Sequence, residues 1–209
     1  MKQNVQAFRQ RNRILFFWMS SPLPIFLLFF TEPIWVDGDF RNEVIRQFGA
    51  LAVLTCIAGR CWAALHIGGQ KNRQLITSGP YARTRNPLYF FSSVGLAGVG
   101  LAVGSLTLGA VFFCFSYLAF SYVIRREEST LEHFFAGEYR TYMMLVPRFF
   151  PSLSAISVEP PATDQVVYTP QALHKTFWHA LLFLLPIPLY TVLQYMHGHE
   201  IITPLFRLY

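Results

Sequence analysis

Long apolar segments alternate with polar segments along the 209 residues of the chain. Each apolar segment comes close to the roughly 20 residues that an α-helix needs to cross about 30 Å of hydrocarbon. The pattern therefore predicts an all-α integral membrane protein that forms a single transmembrane domain over residues 1–209. About five transmembrane helices are expected, at residues 14–30, 44–65, 87–104, 106–124 and 177–196.

The third and fourth apolar segments are separated only by Gly104 and Ser105. So short a connection predicts a tight antiparallel hairpin of two helices. Gly100 and Gly104 have the GxxxG spacing that lets helices approach closely. Two close proline pairs predict kinks in the first and last helices, at Pro22/Pro24 and Pro186/Pro188.

The composition agrees with a membrane protein. Hydrophobic residues make up 53% of the chain and charged residues only 13%, whereas soluble domains carry about 25% charged residues. A soluble core of this length could not bury so much apolar surface, but lipid can. The cysteines lie inside apolar runs and are interpreted as buried thiols rather than as a disulfide framework, at Cys56, Cys61 and Cys114.

The distribution of charge orients the predicted helices. Most basic residues fall on one side of the membrane: Lys2, Arg9, Arg11, Arg13, Lys71, Arg73, Arg83, Arg85, Arg125, Arg126, Arg140, Arg148 and Lys175. The opposite loop carries Glu32, Asp37 and Asp39 instead. The positive-inside rule puts the amino terminus and both long polar segments in the cytoplasm and the carboxyl terminus outside. Anionic lipid headgroups account for the net charge of +6, so no nucleic-acid partner is expected.

Two polar segments, residues 66–89 and 125–151, are too patterned to be plain loops. The first contains Gly79-Pro80-Tyr81 and then, after three residues, Arg85-Asn86-Pro87-Leu88-Tyr89, with Arg60, Trp62 and Gly68 upstream. The second contains Glu127, Glu128, Leu131, Phe135, Tyr139, Tyr142, Val146-Pro147-Arg148 and Pro151. Two long patterns in this order, on either side of a helical hairpin, make a specific signal.

These motifs resemble those of the isoprenylcysteine carboxyl methyltransferase and phospholipid methyltransferase superfamily of membrane enzymes. The resemblance covers residues 60–151, which form a methyltransferase-like core. A polar linker at 152–176 and the last helix at 177–196 follow this core. It implies S-adenosylmethionine as the cofactor, in a cytoplasmic pocket formed by the segments after the second and fourth helices. Asn86 stands where the family usually has histidine, and Ala136 where it has glycine. An asparagine can hydrogen-bond but cannot titrate near neutral pH.

The chemistry of S-adenosylmethionine indicates which side chains suit it. Its ammonium group needs a carboxylate, from Glu127 or Glu128, which point about 100° apart on a helix and so have separate roles. Its own carboxylate needs a guanidinium group, and its adenine needs aromatic walls. The candidate cofactor-binding residues are Gly79, Tyr81, Asn86, Pro87, Tyr89, Glu127, Tyr139, Tyr142 and Arg148.

The candidate catalytic residues are Arg85, which would hold an anionic acceptor, and Glu128 as its polar partner. Methyl transfer is an in-line displacement that needs positioning and a dry site more than acid–base chemistry. A site at the membrane boundary favours a lipid or small hydrophobic acceptor in a bacterial inner membrane. The reacting group could be a carboxylate, a phosphate, a thiol or an amine, and the sequence does not choose among them.

Three other interpretations compete with this one. The first is a phospholipid amine N-methyltransferase, in which Arg85 has less to do. The second is a non-catalytic protein that binds lipid or cofactor. A transporter is disfavoured because five helices are few, no inverted repeat is visible and charges within the helices are scarce. His197, His199 and Glu200 lie in the outward tail, and no metal site is expected there.

Overall fold

The computed structural model describes residues 22–34, 39–67, 75–153, 170–199, 201 and 204–208. Several sequence features lie outside this part of the chain: the basic amino-terminal residues, positions 14–21 of the first predicted helix, Asp37, Gly68, Lys71, Arg73, positions 154–169 of the linker, and Glu200. The described residues form helices α1 (Pro22–Phe30), α2 (Phe40–Ile67), α3 (Pro87–Ala102), α4 (Leu106–Leu145), α5 (Pro170–Leu181) and α6 (Pro186–Gly198). Two short strands, β1 (Thr31–Pro33) and β2 (Phe206–Leu208), and two 3-10 turns, Gly79–Ala82 and Leu182–Leu184, complete them.

The all-α membrane architecture is confirmed. Within the described residues, three helical stretches are long and apolar enough to cross a membrane: Phe40–Ile67, Leu106–Leu145 and Leu173–Gly198. The last of these joins α5 to α6 through a 3-10 turn that precedes Pro186, where the sequence predicts a break. Helix α3 is apolar but has 16 residues, which span about 24 Å at 1.5 Å per residue. Helices α1 and α3 correspond to the other two of the five apolar segments.

The predicted hairpin between α3 and α4 is present. Gly104 has a φ of +86°, a left-handed conformation that glycine adopts without strain. The Ser105 side chain then caps α4 by accepting a hydrogen bond from the Leu108 backbone N–H at 3.1 Å. Gly100 packs directly on the Gly109 backbone, whereas Gly104, the other glycine of the predicted pair, faces Asn42 of α2. The close approach of α3 and α4 therefore depends on Gly100 and Gly109 rather than on both glycines of the predicted spacing.

Helices α2 and α3 pack antiparallel along most of their length. Small residues face the other helix in a regular register: Gly49 on Ala102, Gly98 on Ala52, Gly95 on Cys56 and Gly59 on Phe91. The main core combines side chains of α2, α3, α4 and α6 with one from the α3–α4 turn: Val53, Val99, Val103, Leu108, Phe112, Tyr190 and Leu193. The end of the bundle where α2 ends and α3 begins is called the site end below. The opposite end, where α3 turns into α4, is called the far end.

Helix α4 is the element that the apolar pattern describes least well. The hydrophobic run ends near residue 124, but the helix continues to Leu145. It is interrupted at Ala136, whose φ of 39° and ψ of −111° are not helical. The last turns of α4 therefore stand beyond the apolar part of the bundle at the site end. There they meet the chain that connects α2 to α3.

Candidate active site at the site end of the bundle

Backbone hydrogen bonds join the two patterned segments. The Arg85 N–H donates to the Pro147 carbonyl at 2.9 Å, and the Ser152 N–H donates to the Arg83 carbonyl at 2.8 Å. The residues before α3 and those after α4 thus run beside each other, although more than 60 positions separate them in the chain. The segments predicted to form the pocket are brought together.

Thr84 and Asn86 strengthen this junction with their side chains. The Thr84 hydroxyl is buried and donates to the Phe149 carbonyl at 2.9 Å. The Asn86 amide nitrogen donates to the Arg148 carbonyl at 3.0 Å. Asn86 therefore fixes the position of the second segment through its side-chain amide. This role requires a hydrogen-bond donor and does not require a titratable ring.

Glu128 lies between two arginines at the centre of the site. Its Oε2 accepts a hydrogen bond from Arg148 Nε at 2.8 Å, and its Oε1 lies 3.4 Å from a terminal nitrogen of Arg85. The side chains of Glu128 and Arg85 are only 6% and 9% exposed, whereas that of Arg148 is 48% exposed. One carboxylate shared by two guanidinium groups leaves a net positive charge. Arg148 is the member of the cluster that solvent or a ligand can reach.

Three tyrosines form a buried wall beside these charges. Tyr139 and Tyr142 are almost fully buried and pack against Val146. The Tyr142 hydroxyl donates to the Tyr81 carbonyl at 2.7 Å, which connects α4 to the 3-10 turn. The charges of Glu128 and Arg85 act on the Tyr139 hydroxyl. The Tyr81 hydroxyl is buried and has no hydrogen-bond partner among the described residues.

Glu127 faces a different part of the site from Glu128. It is partly buried, and its charge acts on Tyr81. Burial, and after it the negative charge of Glu127, raises the pKa of the Tyr81 phenol above its ordinary value. Glu128 thus pairs with two arginines, and the charge of its neighbour Glu127 acts on Tyr81 in the 3-10 turn.

Gly79 is required by the backbone and by a close neighbour. Its φ is +62°, and a Cβ atom at this position would overlap the ring of His66 at the end of α2. The His66 Nδ1 lies 3.0 Å from the Trp62 carbonyl one turn earlier. The glycine thus allows the 3-10 turn to lie directly against α2.

Pro87 and Tyr89 occupy another part of the site end. Pro87 is the first residue of α3, a position that suits its fixed φ and missing N–H. Tyr89 packs against Phe120 with ring centroids 5.0 Å apart and ring planes tilted by 39°, in a cluster with Ile124 and Phe149. Tyr89 therefore belongs to a different hydrophobic cluster from Tyr139 and Tyr142.

The sequence of this chain is similar to a known family and to two named proteins. The phospholipid methyltransferase family model matches residues 45–138. The cobalt-zinc-cadmium resistance protein CzcN of Cupriavidus metallidurans is 33% identical over 154 residues, 74% of this chain and 70% of that protein. The nickel-cobalt-cadmium resistance protein NccN of Alcaligenes xylosoxydans xylosoxydans is 33% identical over 155 residues, 74% of this chain and 72% of that protein. This chain belongs to the phospholipid methyltransferase family. No solved structure matches it.

Membership of the phospholipid methyltransferase family confirms the superfamily that the motifs resemble. The matched region contains α2 from residue 45 onwards, the first patterned segment, the α3–α4 hairpin and the glutamate pair. Arg85 and Glu128 lie within it, and Arg148 lies beyond its end at residue 138. Arg148 nevertheless contacts two residues of the matched region, Glu128 and Asn86.

The structure also assigns places to residues that sequence reasoning missed. Thr84 joins the two segments through the Phe149 carbonyl, and His66 lies against Gly79 of the 3-10 turn. Ser92 in α3 accepts a hydrogen bond from Arg60 in α2. No pattern in a single sequence distinguishes these residues from other polar residues near a membrane. A cavity of about 280 Å³ at the far end, lined partly by Glu43, Arg46 and Gln194, contains none of the predicted site residues.

Proposed function

We propose that this protein transfers a methyl group from S-adenosylmethionine to a lipid-like or small hydrophobic acceptor. The observation that carries the proposal is the cluster of buried Glu128 and Arg85 with half-exposed Arg148, to which both patterned segments contribute. Bound S-adenosylmethionine would supply an electrophilic methyl group. The protein would supply binding, orientation and the exclusion of water.

The described residues fit the charge pattern of that cofactor. Glu127, whose charge acts on Tyr81, would bind the ammonium group beside that ring. Arg148, half-exposed, would hold the carboxylate as a guanidinium donor. Tyr81 has a buried hydroxyl without a described partner, and with Tyr139 and Tyr142 it would provide aromatic contacts for adenine. Gly79, Asn86, Pro87 and Tyr89 would shape the segment around it.

Arg85 is the candidate for holding the acceptor. Its guanidinium is nearly buried, and Glu128 holds it from one side. Its Nε atom has no hydrogen-bond partner among the described residues. Glu128 would orient Arg85, and Arg85 would position the nucleophile in a dry environment where electrostatic interactions are strong.

The site end would face the cytoplasm of a bacterial inner membrane. Basic residues collect there: Arg83, Arg85, Arg125, Arg126, Arg140, Arg148 and Lys175. The positive-inside rule favours this orientation, with the far end and the carboxyl terminus outside. A hydrophobic acceptor would enter sideways from the inner leaflet, and neither a metal nor a nucleic acid would take part.

A phospholipid amine is the second candidate acceptor, because the family that matches this chain is described as phospholipid methyltransferase. An amine is uncharged when it attacks the methyl group, so Arg85 would contribute less to the methylation of an amine than to that of an anion. The effect of Arg85→Gln on the rate of methyl transfer distinguishes the two functions. The substitution should strongly slow methylation of a carboxylate or phosphate acceptor and have little effect with an amine.

Calorimetric titration of the detergent-purified protein with S-adenosylmethionine and S-adenosylhomocysteine tests the cofactor site. Wild type should bind in the micromolar range, and Glu127→Gln should weaken binding at least tenfold. Glu132→Gln is a matched control, because Glu132 lies on the same helix in an exposed pair with Arg140. Labelled methyl transfer to a membrane lipid extract would then identify the acceptor. Folded wild type that binds neither compound would overturn the proposal in favour of a non-catalytic lipid-binding protein.

A further inference from the structure

Arg60 is a charged residue within a membrane-crossing helix. It lies seven residues before the end of α2 at Ile67, which is about 10 Å along the axis at 1.5 Å per residue. Its position in the bundle is therefore deeper than the site end. A charge at such a depth is costly, and intramembrane ionisable residues usually mark a functional site.

The contacts of Arg60 come from polar and aromatic neighbours. One terminal nitrogen donates a hydrogen bond to the Ser92 hydroxyl of α3, which in turn donates to the Leu88 carbonyl at 2.6 Å. The guanidinium carbon lies 5.8 Å from the centre of the Phe183 ring. The Nε atom is buried and has no hydrogen-bond partner among the described residues.

Among the described residues, no carboxylate forms an ion pair with Arg60. The groups that act on it electrostatically are Cys56, Cys61 and Tyr89, whose side chains are ordinarily neutral at pH 7. Arg85 and Arg148, by contrast, share Glu128. A buried cation without a counter-ion is costly, and a bound anion would reduce that cost.

Arg60 is connected to the candidate active site along one side of α3. Asn86, Tyr89 and Ser92 follow each other at intervals of three residues, which places them on one helix face. Six residues from Asn86 to Ser92 correspond to about 9 Å along the axis. Arg60 therefore lies deeper in the bundle than the Asn86 junction, on the side from which an alkyl chain would come.

We infer that Arg60, with Ser92, binds the anionic group of an amphiphile whose reacting group lies nearer the cytoplasm. The ligand is a long alkyl chain that carries a phosphate or a carboxylate at the depth of Arg60. The inference rests on the proposed function for its link to methyl transfer, and it makes Arg60 a specificity-determining residue. The simpler role, a hydrogen bond that only joins α2 to α3, requires no bound anion.

Equilibrium binding of three labelled 14-carbon amphiphiles to the full chain in neutral detergent tests this inference. The probes are monotetradecyl phosphate, myristate and uncharged tetradecanol. At least one anion should bind ten times more tightly than tetradecanol. Preference for the phosphate would indicate a phospholipid-like source, and preference for myristate a fatty-acid-like source. Equal affinity for all three probes would overturn the inference, and this comparison needs no variant.

Variants separate charge from helix packing. Arg60→Gln should lower anion affinity at least tenfold and change tetradecanol affinity less than twofold. Ser92→Ala removes the same interhelical hydrogen bond but leaves the charge, so it should keep most of the preference. Arg126→Gln, at an arginine that lies over Tyr122 at the bundle surface, is the matched charge control and should have no effect. If Arg60→Gln still preferred the anionic probes to tetradecanol, another residue would bind the anion and the inference would be overturned.

Cofactor titration of the same samples distinguishes failure of this inference from failure of the proposed function. Cofactor binding without anion preference would overturn the Arg60 site and leave methyl transfer in place. Anion preference that depends on Arg60 in a protein that binds no cofactor would keep the site and overturn methyl transfer.

Discussion

Glu128 is the buried charged residue at the centre of the candidate site. It is buried between two guanidinium groups that come from different segments. A buried ion pair contributes little net stability compared with apolar residues, but removal of one partner leaves an uncompensated charge. The cluster therefore adds little to the net stability of the bundle, but loss of one of its members should destabilise the protein.

Glu128→Gln should destabilise the protein by about 3 kcal/mol, because Arg85 would remain buried without its counter-charge. The free energy of unfolding can be measured by titration with sodium dodecyl sulfate in mixed micelles. Glu132→Gln removes a carboxylate of the exposed pair with Arg140, and it should change stability by less than about 0.5 kcal/mol. Equal effects of the two substitutions would contradict the buried cluster.

Gly79→Ala should destabilise the protein by about 1–3 kcal/mol, the usual range for a strained backbone position. The substitution combines a left-handed φ with overlap of the His66 ring. In a His66→Ala background the overlap disappears and the cost should fall, while the backbone part remains. Gly137→Ala is the control, because a Cβ there meets nothing within 4 Å. Additive effects of the two substitutions would show that Gly79 and His66 do not touch.

Among the elements, α4 shows what an apolar pattern predicts and what it does not. The change from apolar to charged residues near position 124 marks the exit from the membrane, but it does not end a helix, because glutamate, arginine and leucine all favour helix. The α3–α4 hairpin was predictable because its connection is short. The junction of the two segments was predictable only through the family resemblance, because hydrogen bonds such as that from Thr84 to Phe149 leave no periodic signal.

Ala136→Gly should stabilise the protein by about 1 kcal/mol. The φ of 39° and ψ of −111° at Ala136 approach the first central position of a type II′ turn, where glycine is preferred. Glycine would relieve the strain that a Cβ atom causes at positive φ. Ala136→Val should instead destabilise the protein, because β-branching makes this conformation harder to adopt. The unfolding titration used for Glu128 measures both variants, and a loss of stability in Ala136→Gly would argue against the kink.

At the scale of the whole molecule, the excess of basic residues and the candidate site lie at the same end of the bundle. The far end carries both signs, with Arg41, Arg46 and Arg207 near Glu32, Asp39 and Glu43, and Glu32 pairs with Arg207 at 3.4 Å. The site end carries the larger excess of basic residues. Arg60 belongs to neither group, because it lies within the bundle. This asymmetry gives the molecule a direction in the membrane that can be measured.

Labelling with a membrane-impermeant maleimide should report that direction in intact bacterial cells. In a background with Cys56, Cys61 and Cys114 replaced by alanine, we would introduce single cysteines as Arg140→Cys and Ile201→Cys, both at exposed positions. The positive-inside rule predicts that Ile201→Cys reacts in intact cells and that Arg140→Cys reacts only after permeabilisation. The opposite pattern would put the site end outside the cell, away from the cytoplasmic supply of S-adenosylmethionine. Methyl transfer would then be untenable, and the charge at the site end would need another explanation.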